Sequence, residues 1–172
     1  PYDAFMEQEG VPVFREPAYF RQQAETLKSG ALATPVGVDW DGDGDMDLVS
    51  GNTAGYIEVF RNLSGAGVAE PRWSAGERLR VGDQPFRVQA GLNGSIQGPA
   101  EAKWGYTTLS VADWDADGLP DIVCNSILGR VSWLKNEGTR AEPRFEASRP
   151  VEVEWPGEQP RLAWGWLRPE GR

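Results

Sequence analysis

The chain of 172 residues contains no histidine and a single cysteine, and both shortages exclude chemistry. Without imidazole there is no Ser-His-Asp triad, no HExxH zinc centre and no histidine base, which removes most hydrolase schemes. Cys124 alone forms no internal disulfide, so cysteine usage is silent about compartment. No basic run or patch stands out, which makes nucleic acid a poor partner for a chain of net charge −9. No apolar stretch reaches membrane-spanning length and no signal peptide is recognisable. The first residue is Pro1 rather than methionine, as expected of a processed or excised chain. Helix signals are scarce too: with 21 glycines and 13 prolines, only Tyr19 to Lys28 could carry one.

What the chain holds in abundance is aspartate, in two places. Nine of its eleven aspartates fall in Asp39–Asp47 and Asp113–Asp121; without them the 26 acidic side chains drop to 17, equal to the 17 basic ones. Charge this concentrated needs a local reason, and a bound cation is the direct one.

The two windows belong to a repeat. Trp40–Asn62 aligns without gaps on Trp114–Asn136 at a constant offset of 74, placing Asp47 on Asp121, Gly55 on Gly129 and Asn62 on Asn136. A second marker follows each unit, Glu70-Pro71-Arg72-Trp73 and Glu142-Pro143-Arg144-Phe145, and a third copy, Glu16-Pro17-Ala18-Tyr19, stands without an acidic loop before it. The pattern is that of a longer array. Short β-branched runs flank each loop, Val36 and Val38 then Leu48-Val49, and Leu109 and Val111 then Ile122-Val123. Alternating segments follow, with Ile57 and Val59, then Val131 and Trp133, on the inward period. Further strands are expected at Arg78–Val81, Pro85–Gln89, Val151–Trp155 and Arg161–Trp166. The class is all-β, built from small repeated antiparallel sheets. Residues 1–34 form the tail of a preceding unit, 35–89 the first full unit, 90–107 a glycine-rich insertion, 108–155 the second unit and 156–172 the start of another.

Both windows fit D-x-D-x-D-G-x-x-D. Alternate carboxylates on a tight loop converge, so Asp39, Asp41 and Asp43, or Asp113, Asp115 and Asp117, can hold one hard cation. Gly44 and Gly118 permit the reversal that returns Asp47 or Asp121, and the backbone carbonyls of Asp45 and Leu119 complete the shell. Oxygen-only ligands on a flexible loop favour Ca²⁺ over transition metals and Mg²⁺, giving two calcium sites. An EF-hand is excluded, because its twelfth position, which needs glutamate, is Ser50 or Cys124 and its flanks here are strands. A metal-free aspartate turn is the competing account. It must tolerate carboxylates repelling by about 4 kcal/mol per pair at 4 Å.

These loops, the Val-x-Asp-Trp and Asp-Leu/Ile-Val steps around them, and the Lys/Arg-Asn ending resemble FG-GAP or VCBS repeats, the calcium-loop blades of integrin-type β-propellers. The resemblance covers Val36 to Trp73 and Ser110 to Phe145. It implies a four-stranded blade per repeat, Ca²⁺ between the first two strands, and a secreted or cell-surface protein. Propellers need at least four blades, so other blades or another copy of the chain would complete the ring. Similar repeats also build the catalytic propellers of some polysaccharide lyases. With no catalytic constellation visible in the sequence, a carbohydrate-binding or adhesion module is the expected function and a lyase the alternative. Trp40 and Trp114 are expected to pack between blades, and Trp133, Trp164 and Trp166 in the core. Trp104 and Tyr106 differ, lying in the insertion beside Lys103, Glu101 and Asn93. An aromatic platform with polar neighbours suits a sugar ring, and a tyrosine with Lys103 or Arg87 suits β-elimination.

Overall fold

The structure, a computed structural model, describes residues 6–8, 11–13, 21–22, 26–91, 101–154 and 156–157. It is all-β, with no α-helix among the described residues. In chain order the strands are β1 (Met6–Gln8), β2 (Val11–Val13), β3 (Arg21–Gln22), β4 (Thr34–Val38), β5 (Asp47–Gly51), β6 (Ile57–Phe60), β7 (Arg72–Trp73), β8 (Glu77–Arg78), β9 (Arg80–Val81), β10 (Gln84–Pro85), β11 (Thr108–Ala112), β12 (Asp121–Asn125), β13 (Ser132–Asn136) and β14 (Phe145–Pro150). One 3₁₀ turn, Glu101–Lys103, lies in the insertion.

Each repeat folds as an antiparallel meander, β4-β5-β6-β8 and β11-β12-β13-β14. The registers match across the repeat: Val36 faces Val49 as Ser110 faces Val123, and Val38 faces Asp47 as Ala112 faces Asp121. The acidic windows are therefore the β4–β5 and β11–β12 loops, in the same register on both sheets. The first strands lie together, with β11 against β4 and β5. One hydrophobic cluster runs through both sheets, including Trp40, Val49, Ile57 and Val59 from the first and Ile122, Cys124, Leu134 and Phe145 from the second. Burial of this apolar surface, at about 25 cal/mol per Å², is what joins the two repeats.

The fourth strand of the second sheet carries two more. β9 runs parallel to β14 through Phe145 and Val81, and β10 pairs antiparallel with β9. A second parallel pairing, β3 with β7, joins Gln22 to Trp73, so the strands that carry Trp73 and Phe145 each meet an earlier segment side by side.

Several expectations shift. The helix expected over Tyr19–Lys28 does not form where the structure describes that stretch: Arg21–Gln22 is a strand, and residues 19–20 and 23–25 lie outside the described residues. Among the described residues the last strand is Phe145–Pro150, and residues 151–154 of the strand expected at Val151–Trp155 are not in it, because the partner β13 ends its ladder at Ser132 opposite Pro150; Trp155 lies outside the described residues. Val131 lies outside β13 and is exposed, and the inward positions are Leu134 and Asn136. Trp133 is only half-buried and holds the cations of Lys135 and Arg149 near its ring. Arg161–Trp166, with Trp164 and Trp166, lies outside the described residues.

Candidate metal centre

Each loop is closed by its last aspartate. Asp47 is 1% exposed and accepts the backbone N–H of Trp40 on Oδ2 at 3.0 Å and of Asn62 on Oδ1 at 2.8 Å. Asp121, fully buried, repeats this with Trp114 at 3.2 Å and Asn136 at 2.7 Å. A buried carboxylate satisfied by two N–H groups ties loop entry to the end of the third strand in both sheets. Burial pushes the Asp47 carboxyl above its usual range, and the two N–H bonds pull the other way.

The remaining aspartates shape the turn. Asp39 accepts from the Gly42 N–H and Asp43 from that of Asp45; Asp113 accepts from Asp117 and Gly118, and Asp117 from Leu119. Gly44 and Gly118 take φ of 92° and 88°, the left-handed values that favour glycine at the reversal. Carboxylate oxygens of Asp39, Asp41 and Asp43 lie within 4.8 Å of one another, as do those of Asp113, Asp115 and Asp117. These two triads are what the fold brings together as ligand sets, with Asp47 and Asp121 beneath them as loop closures.

Asp45 departs from its expected role. Its side chain, not only its carbonyl, turns into the protein: the residue is 4% exposed, and its Oδ1 is buried without a hydrogen-bond partner, as is Oδ1 of Asp41. Burial first, and then the charges of Asp43, Asp47 and Asp41, push the Asp45 carboxyl up to about 6. An orphaned acceptor among carboxylates costs free energy that a cation would recover. This donor set of hard oxygens fits Ca²⁺. In the second loop the same position is Leu119, half-buried.

Sequence reasoning missed three cations at these loops. Arg61 Nη1 lies 2.5 Å from Asp41 Oδ2. Lys135 Nζ contacts Asp115 and lies 2.7 Å from Asp117 Oδ2. Arg140, from the second repeat, donates to the Asp39 carbonyl at 3.3 Å and approaches its carboxylate to 3.7 Å. For Arg61 and Lys135 the signal was present, in the Lys/Arg-Asn ending that both repeats share.

The two loop tryptophans part company. Trp40 is 3% exposed and stacks on Phe145 of the second repeat, whereas Trp114 is 52% exposed. Only the first of the two expected packing roles is realised among the described residues.

The insertion brings its candidate residues together on the first sheet. Trp104 and Tyr106 meet edge to face at 5.8 Å. Arg87 donates to the Ala54 and Lys103 carbonyls, at 3.0 and 3.1 Å, and its guanidinium lies over Tyr56. Thr107 bonds to Asn52 and Tyr56 and pins the insertion to the β5–β6 turn. Gly55 in that turn admits no side chain, since a Cβ would lie 1.9 Å from the Val88 carbonyl oxygen. Asn93 lies outside the described residues. The Tyr106 hydroxyl donates to Glu101 at 3.2 Å, and desolvation together with that carboxylate pushes its pKa up.

The chain matches no protein-family model, no curated protein and no solved structure. No helix among the described residues is long and apolar enough to cross a membrane.

Proposed function

We propose that the chain is a calcium-stabilised pair of propeller-type blades from a secreted or cell-surface protein, with a carbohydrate-binding or adhesion role. The observation that carries the metal is the first loop, where three clustered aspartates stand beside a fourth whose buried oxygen lacks a partner. Calcium here is structural: the loop joins strands of one sheet, and Asp47 or Asp121 links it to the third strand. The resemblance to FG-GAP and VCBS repeats agrees with the matched meanders and with the loops between their first two strands. Trp40 stacked on the next repeat, against an exposed Trp114, supports an array in which the second sheet takes a further neighbour, from a longer chain or another copy.

For the ligand, Trp104 offers an exposed ring 40% accessible to solvent, with Lys103, Arg87 and Tyr106 beside it. That composition suits an anionic sugar. A lyase built on Tyr106 is the weaker reading, because a tyrosine base must lose its proton and this hydroxyl donates to Glu101. Melting curves in chelator and in Ca²⁺ test the metal: at a hundredfold excess over Kd each site adds about 2.7 kcal/mol, or roughly 5–10 °C. Identical curves would sink it. Mixing with anionic polysaccharides, with retardation on a gel and absorbance of unsaturated uronates as readouts, separates binding from elimination.

A further inference from the structure

Arg61 and Lys135 occupy matched positions, 74 residues apart, each just before the asparagine whose N–H closes its loop. Each side chain leaves the third-strand side of its sheet and enters the acidic loop beside it. Lys135 Nζ bonds to both Asp115 and Asp117, and Arg61 Nη1 to Asp41. We propose that these two side chains are tethered counter-cations that calcium must displace, and that this competition makes the first loop the tighter site and the second the weaker. The inference rests on the calcium reading of the loops.

The oxygens decide it. Calcium takes its ligands at about 2.3–2.6 Å, and in the second loop two of the three clustered aspartates already hold the ammonium between them. A metal on the same Asp115 and Asp117 oxygens would sit against Nζ, and like charges do not share that space. The lysine must therefore swing out. Opening the two ion pairs that Lys135 makes with Asp115 and Asp117 is a cost that calcium must meet at this loop, so the ammonium's grip counts against the metal. The contact is doubled: the one ammonium bonds to a carboxylate oxygen of Asp115 and to one of Asp117.

The first loop differs in three respects. Arg61 engages one aspartate rather than two, its delocalised charge spread over a planar fork, and Arg140 comes no closer than 3.7 Å to the Asp39 carboxylate, donating instead to the Asp39 carbonyl. A further carboxylate, Asp45, stands where the second loop has Leu119. Oδ1 of Asp41 and Oδ1 of Asp45 stay buried with no partner, the residue Asp45 being 4% exposed. These inward acceptors hold no cation, so at the first loop a metal has only Oδ2 of Asp41 to take from Arg61.

Calorimetric titration of the whole chelator-treated chain with CaCl₂ tests this, using wild type, Lys135→Gln and Lys135→Arg. Wild type should bind two ions with unequal constants. Lys135→Gln should tighten the weaker site by roughly tenfold and leave the tighter one alone, with Lys135→Arg between wild type and Lys135→Gln. Melting adds a crossing that a merely structural lysine would not show: Lys135→Gln below wild type in chelator, and level with it or above in saturating Ca²⁺. Two ions bound with the weaker constant unchanged or weakened in Lys135→Gln overturns the inference and leaves the calcium reading standing. No calcium bound by any variant overturns that reading, and the inference with it.

Discussion

The indole of Trp40 stacks on the phenyl ring of Phe145, with centroids 6.1 Å apart and planes 25° from parallel. The two residues are 105 positions apart and come from different repeats, so the contact joins one acidic loop to the opening of β14 in the next sheet. Arg140, five residues before Phe145, covers the same loop at Asp39. The first loop is thus built from its own aspartates and roofed by its neighbour.

That relationship predicts unequal tryptophans. Trp40→Ala and Phe145→Ala should each cost about 3–5 kcal/mol. Trp114→Ala, at a ring 52% exposed, should cost within about 0.5 kcal/mol. Denaturant melts in saturating Ca²⁺ measure all three, and equal losses at Trp40 and Trp114 would count against the packing described.

Aspartates of one loop should separate into two kinds. Asp47→Ala removes the acceptor of two buried N–H groups, so it should destabilise by about 2–4 kcal/mol even in chelator. Asp43→Ala should leave the chelator melt close to wild type while abolishing one calcium equivalent. A calorimetric count of bound ions beside the two melts gives the answer.

Asp45 sets a pH dependence. Its folded pKa of about 6 lies above the unfolded value of 3.8, so the folded state binds the extra proton. The metal-free protein should gain stability at this site as pH falls from above 6 toward 4, and lose it as pH rises through 6. Asp45→Asn should remove that slope and melt higher than wild type in chelator at pH 7.5. In Ca²⁺ the order should reverse. Melts in chelator across pH 4.5–7.5 decide it, and a wild-type slope that survives in Asp45→Asn would rule Asp45 out as its source.

The insertion is tested by Trp104→Ala. Its ring is partly exposed and outside the hydrophobic cluster, so the melt should move by no more than a degree or two. Gel retardation by an anionic polysaccharide that slows wild type should weaken by tenfold or more if the ring stacks on sugar, a loss of about 1.4 kcal/mol. Retardation equal to wild type would remove Trp104 from the ligand surface.

Local pattern was what the sequence made legible. Period-two runs around Asp39–Asp47 and Asp113–Asp121 locate β4, β5, β11 and β12, because alternation and β-branching act within a few residues. The convergence of Asp39, Asp41 and Asp43 follows from their spacing. Partnerships across the chain were not legible. Nothing local to Trp114 distinguishes it from Trp40, since what differs is whether a marker aromatic from another unit reaches it. Asp45 turns inward because the loop seats it against Asp43 and Asp47, a consequence of tertiary closure. Lys135 at Asp115 needed the third strand to pass beside the loop, a relationship that repeat register hints at and only the sheet fixes.

The parallel seam between Val81 and Phe145 puts inheritance and mechanics out of step. Sequence duplicates one period, yet β9 and β10, from the tail of the first copy, extend the sheet of the second. Neither copy can be lifted out along its own boundary without tearing a strand from the other. An insertion between them, such as 90–107, lengthens a tether whose two ends are already laced together. The chain can therefore accept new loop sequence there while the frame on either side holds its alignment.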